Sequence, residues 1–185
     1  MRKFSLLALA LGLVVALPAA ASDLNYTYAE VGYQHVDTDL GIDAKGAYVR
    51  GSYEFGSSGA YLTGSYADLS NDGFDIDPRP ASLGLGYHHS FSDRVDGLVE
   101  ASYEHTDTRF GDVDGWRFSV GARTSFAPSW EGLAKVNFYD GGDYASDTTG
   151  TLGVQYRVSQ NWGVTGEVEF GDDVETYQVG LRRNF

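Results

Sequence analysis

The 185-residue chain has no cysteine. This excludes disulfides, thiolate metal sites and the attachment point of a lipoprotein anchor. An exported protein built this way must draw its strength from elsewhere, and a fully hydrogen-bonded closed sheet can supply it. Basic residues are scarce: 13 Lys and Arg stand against 26 Asp and Glu, a formal net charge of −13. Phosphate backbones would be repelled by such a surface, so nucleic acid is excluded as a partner. Beyond the first 21 residues no apolar run is long enough for a transmembrane helix.

The start of the chain reads as a targeting segment. Arg2 and Lys3 precede an apolar run from Phe4 to Leu17, and Pro18-Ala19-Ala20-Ala21 offers a small-residue cleavage site before Ser22. The run is too short to span a bilayer, so residues 1–21 are read as a secretory signal and residues 22–185 as one domain.

What the rest of the chain has is alternation. In Trp116-Arg117-Phe118-Ser119-Val120-Gly121-Ala122-Arg123-Thr124-Ser125-Phe126 one phase is nearly all apolar, and the other holds only charged or small residues. Successive side chains of a strand point to opposite faces, so such a strand has one greasy wall and one wet wall. Ten stretches behave this way: Leu24–Asp37, Lys45–Gly56, Gly59–Asp68, Pro80–Phe91, Val95–Asp107, Asp114–Ala127, Trp130–Asp140, Asp147–Val158, Asn161–Gly171 and Glu175–Phe185. The even count suits an all-β, antiparallel, up-and-down transmembrane barrel with both termini on one side. Eight strands are the alternative, if Gly59–Asp68 and a neighbour do not both join the wall. Short connections such as Ser57-Ser58 alternate with longer Gly- and Asp-rich ones such as Leu69–Asp77, which predicts periplasmic turns and extracellular loops.

A soluble barrel would show the same period turned inside out. Against it, aromatics sit at the ends of the apolar phase: Tyr53, Phe55, Phe91, Trp116, Phe126, Trp130, Phe138, Trp162 and Phe170. That is the pattern of a girdle at two water–lipid boundaries. The polar phase mixes charge with Gly and Ser, as a narrow lumen requires.

The last strand ends Gln178-Val179-Gly180-Leu181-Arg182-Arg183-Asn184-Phe185. It resembles the C-terminal signal read by the outer-membrane insertion machinery. Gln178, Gly180, Leu181 and Phe185 agree with that pattern, while Arg183 stands where an aromatic is usual. With the opening Asp23-Leu24-Asn25-Tyr26-Thr27-Tyr28-Ala29-Glu30-Val31-Gly32-Tyr33, the chain resembles the small outer-membrane barrel family of xanthomonads and relatives, the "Ax-twenty-one" type. In general character it is similar to OmpX- and OmpA-like barrels. The resemblance implies a small protein of the cell outer membrane, with outer-membrane lipid and the insertion machinery as partners. It carries over no catalytic or binding residues.

Charge separates by position. Strand parity assigns Glu30, Glu54, Glu100, Glu104, Glu131, Glu167 and Glu169 to the lumen, against Arg50, Arg117, Arg123, Lys135, Arg157 and Arg182. The loops and rims hold sixteen acids opposed only by Lys45, Arg79 and Arg109. Seven acids against six bases inside predict a paired ladder that braces a lumen of roughly 10 Å backbone radius. Inward glycines, among them Gly32, Gly86 and Gly121, leave a thin water path as a competing expectation. Outside, Asp37/Asp39, Asp75/Asp77 and Asp112/Asp114 have spacing that suits calcium but lack the full ligand run of a dedicated loop, so they are read as a solvated coat. His35 with Asp37 and His105 with Asp107 are the candidate catalytic pairs. Their parity faces lipid, and no serine sits in a nucleophile motif. The expectation is a non-enzymatic barrel without cofactor or metal, acting structurally or through acidic loops. A narrow passive channel is the alternative, and a lipid- or peptide-processing enzyme the second.

Overall fold

The computed structural model describes residues 24–39, 43–71, 77–109, 111–142 and 144–185. The signal read at 1–21 and the acids Asp72, Asp75 and Asp143 lie outside them. Ten strands follow in chain order: β1 (Tyr28–Thr38), β2 (Ala44–Glu54), β3 (Ala60–Ser70), β4 (Arg79–Ser92), β5 (Val95–Thr108), β6 (Gly111–Ala127), β7 (Trp130–Gly141), β8 (Tyr144–Arg157), β9 (Trp162–Phe170) and β10 (Val174–Asn184). Each pairs antiparallel with its sequence neighbours, and β1 pairs with β10 from Tyr28↔Asn184 to Thr38↔Val174. The barrel is therefore closed. The eight-strand alternative fails because β3 pairs with both neighbours, from Tyr61 to Ser70 against β2 and from Ala60 to Tyr66 against β4.

The wall follows the alternation. Val31, Val49, Leu83, Leu85, Val99, Phe118, Val120, Val179 and Leu181 face outward and are exposed, whereas Glu30, Ser102, Ser119, Arg123, Glu131, Asn137, Thr151 and Arg182 are buried inside. Burying charge while exposing valine inverts the order of a water-soluble protein, and it is stable only where the surroundings are apolar. On β6, Trp116 and Phe126 are ten residues apart. At ~3.4 Å per residue and ~40° tilt this spans about 26 Å, close to the apolar band of an outer-membrane barrel.

Two expectations are corrected. Two hairpins run further out than the alternation suggests: β5 and β6 stay paired out to Thr108↔Gly111, and β7 and β8 out to Gly141↔Tyr144. Asp112, read as part of a connection, thus sits on β6, while Asp107, Asp114, Asp140 and Asp147 are on strand as the alternation places them. Ladder pairing continues beyond the bilayer and outweighs the weak strand propensity of aspartate. Secondly, Leu24–Thr27 is not strand. Thr27 is still tied to the neighbouring strands through Phe185 and Glu54, and Tyr26 turns inward across the end of the barrel that carries both termini.

Candidate functional site: the lumen and its two mouths

Parity delivers the charged side chains to one interior, and the register then decides who meets whom. Glu30 on β1 stands beside Arg50 on β2 and Arg182 on β10, because it pairs with both in the ladder. Its Oε1 accepts from Tyr48 Oη at 2.6 Å and Arg50 Nη2 at 2.7 Å, and its Oε2 accepts from Arg182 Nε at 2.6 Å. Arg50 also donates to Glu167 at 3.0 Å, and Arg182 to Gln155 at 3.1 Å. Across the lumen Lys135 donates to Glu100 at 3.1 Å, where Tyr61 also donates. Nearer the outer end Arg117 pairs with Glu104 at 3.1 Å, and Tyr139 donates to Glu169 at 2.8 Å. Arg123 donates to Glu131, which also faces Arg157 at 3.6 Å. Glu54 meets no Lys or Arg among the described residues. Its partner is His88, at 3.1 Å.

Inward glycines seat tyrosines rather than leaving a water path along those walls. A methyl group at Gly86 would overlap the Tyr61 ring, and one at Gly32 or Gly180 would strike Tyr48. Two bulky phenols therefore lie flat against the wall and aim their hydroxyls at Glu100 and Glu30, an aromatic-over-glycine arrangement.

The mouth nearest the termini holds residues that the charge reading passed over. Tyr26, Arg94 and Asp96 are buried there, each 4–5% exposed. Tyr26 precedes β1, yet its hydroxyl donates to Asp96 on β5 at 3.0 Å. Its ring stacks on His88 of β4 with centroids 3.9 Å apart, and Arg123 of β6 lies 5.0 Å over it. In the closed order β6 is five strands from β1 either way round. Tyr26 thus reaches the opposite wall. Asn25 holds the crossing at both ends: its carbonyl accepts from Arg123 at 2.7 Å, and its amide donates to the Phe185 carbonyl at 2.9 Å. Asp96 shares its phase with Glu100 and Glu104, so parity was a sufficient signal for it. Nothing in the sequence marks the crossing of Tyr26. A cavity of about 820 Å³ runs from this layer to Asp147, Asp172 and Asp173 at the opposite rim.

On that rim the register gives His105 a different partner from the one its spacing suggested. His105 pairs with Asp114, not Asp107, and its Nδ1 lies 2.7 Å from the Asp114 carboxylate. The hydrogen bond raises the pKa of His105 and lowers that of Asp114. Asp43 beside Asp37 raises the latter's pKa, since one proton between two carboxylates relieves their repulsion. Among the described residues no three His, Asp or Glu side chains converge as metal ligands.

The aromatic residues at the strand ends point outward. Tyr53, Phe55, Phe91, Trp116, Trp130, Phe138 and Trp162 are exposed, while Phe126 and Phe170 are half-buried against neighbours. At the chain's end Gln178 and Gly180 face the lumen, where Gln178 donates to Gln34 at 2.8 Å. Leu181 and Phe185 face out.

No protein-family model and no curated protein matches the chain. Solved structures do. The chain is similar to the NanC porin, with a TM-score of 0.60 and 10% identity over 85% of this chain and 100% of that one. It is also similar to an outer-membrane channel from Pseudomonas putida F1, with a TM-score of 0.56 and 11% identity over 89% and 97% of the two chains. At such identities the likeness is one of fold. The architecture is that of outer-membrane β-barrels, and these neighbours are porins and channels rather than enzymes.

Proposed function

We propose that this is a small, exported outer-membrane barrel, closed toward the periplasm, with a structural and surface-contact role exerted through its acidic outer rim. Residues 1–21 are its cleaved signal, Gln178, Gly180, Leu181 and Phe185 its contact with the insertion machinery, and the xanthomonad-type small barrels its kin. The observation that carries closure is Tyr26, held across the mouth by Asp96, His88 and Arg123. Behind it the long side chains of the paired ladder project into the lumen and narrow it. Pairing them is what makes charges tolerable in a confined interior.

A narrow passive channel is the second reading, favoured by the cavity of about 820 Å³ behind the outer rim. A lipid- or peptide-processing role has weaker support, since the exposed His105–Asp114 pair has no nucleophile motif beside it. Planar-bilayer recording on refolded protein separates the first two. The expected result is no reproducible conductance step from the native chain and discrete steps from Tyr26→Ala. Steady steps from the native chain would overturn closure and establish the channel.

A further inference from the structure

Outward-facing cations are rare on this wall. Lys45, Arg79 and Arg109 lie at the acidic outer rim, and Arg79 is paired there with Asp68 at 3.2 Å. At the opposite end, near the termini, Arg183 is exposed on the outer face. Among the described residues it has no carboxylate within ion-pair distance.

Its surroundings follow from register. Arg183 pairs directly with Trp162 across the β9–β10 ladder, and Phe185 is two residues along the same face. Cross-strand partners and i, i+2 neighbours share one side of a sheet. The guanidinium consequently lies 5.6 Å from the Trp162 ring and 5.0 Å from the Phe185 ring. The two rings fix a long side chain that would otherwise sample many rotamers, while its hydrogen-bond donors remain available. The next outward residue on β10 is Leu181, where the exposed apolar band begins. The cation therefore stands at the boundary between acyl chains and headgroups, where an arginine costs little, rather than at mid-bilayer, where it costs several kcal/mol.

We propose that Arg183, clamped between Trp162 and Phe185, is a docking site for the phosphate of an anionic phospholipid in the periplasmic leaflet. Charge complementarity selects the occupant. A planar guanidinium offers paired donors to phosphate oxygens, and an anionic headgroup supplies the charge that the protein does not. This arginine also gives a reason for the departure from an aromatic in the C-terminal pattern. The inference needs only the outer-membrane fold and its orientation. It is independent of whether the lumen conducts.

Tryptophan quenching provides the test. In a Trp116→Phe/Trp130→Phe background, Trp162 is the remaining indole. The refolded protein is placed in phosphatidylcholine vesicles containing equal mole fractions of either dibrominated phosphatidylglycerol or dibrominated phosphatidylcholine. The expected result is an enrichment of about fivefold for phosphatidylglycerol at Trp162, the preference of one basic residue near a membrane surface. The net charge of −13 would produce the reverse. Arg183→Gln abolishes the preference, Arg183→Lys keeps part of it, and Lys45→Gln leaves it intact. Heat-dependent gel mobility confirms that each variant is folded. Equal quenching by the two lipids, or a preference that survives Arg183→Gln, would overturn the proposal.

Discussion

Glu30 shows how one side chain governs its neighbours. It is 4% exposed and neutralises two arginines at once. Arg50 has Glu167 as a second carboxylate, but Arg182 is left with the amide of Gln155 and the face of the Tyr28 ring, neither of which carries a charge. The consequence of Glu30→Gln is thus an uncompensated guanidinium in the wall. Breaking one partner of a buried pair costs about 3–5 kcal/mol, whereas replacing both partners by apolar groups is often close to neutral. Urea titration of the refolded barrel should show Glu30→Gln destabilised by about 3 kcal/mol, and adding Arg182→Met should restore more than half of that. An unchanged midpoint in the single variant would mean that water, not protein, solvates Arg182. Glu30, Arg50 and Arg182 were all readable in the sequence, because parity alone places them inside. Tyr26 has the same parity, but its reach across the mouth depends on tertiary packing that no local pattern encodes. His88 shares the inward phase of Gly86, so parity places it in the lumen but does not name its partners. Its place between Glu54 and Asp96 follows from the register of β2, β4 and β5.

The β5–β6 hairpin illustrates where element boundaries can and cannot be read. Within the bilayer the period of two fixes them, and β5 begins at Val95 and β7 at Trp130, as the alternation suggests. Beyond the aromatic girdle the pattern gives way to Asp, Thr and Gly, which resemble a loop. Yet the two strands keep pairing to Thr108↔Gly111, with His105 opposite Asp114 and Asp107 opposite Asp112. Two facing aspartates oppose this extension and one histidine–aspartate pair favours it, so its stability depends on pH. His105 has a raised pKa, so its contribution is complete below the ordinary value of 6.5 and is lost as pH climbs through the folded value. Asp114 has a lowered pKa, so its contribution is complete above 3.8 and is lost as pH falls through the folded value. Between those limits both are present. Amide hydrogen exchange over residues 111–115, corrected for intrinsic rates, should show more protection at pH 5.5 than at pH 8.5. His105→Gln should remove the difference. Equal protection at both pH values in the native chain would mean that backbone pairing alone holds the extension.

For the molecule as a whole, the closed ladder supplies the strength that disulfides provide in many extracytoplasmic proteins. Every strand has two neighbours, and the seam between β1 and β10 is as continuous as any hairpin, running from Tyr28↔Asn184 to Thr38↔Val174. In hydrocarbon an unsatisfied backbone group costs several kcal/mol, since no water is present to take the place of a lost partner. The seam has no covalent turn to hold its strands together, so a break there opens the sheet and creates two exposed edges rather than one defect. Val179 pairs with Tyr33 and Gly166 in the middle of this seam. Proline at that position removes a donor from the ladder and forbids the local geometry. Gln160, in the β8–β9 connection, lies outside the ladder. The native chain and Gln160→Pro, refolded into detergent, should therefore each give a fast-migrating folded band before boiling and a slower one after it. Val179→Pro should give only the slow band at both temperatures. A persistent folded band in Val179→Pro would show that an open sheet with two exposed edges suffices, and that closure at β1–β10 is not what stabilises the barrel.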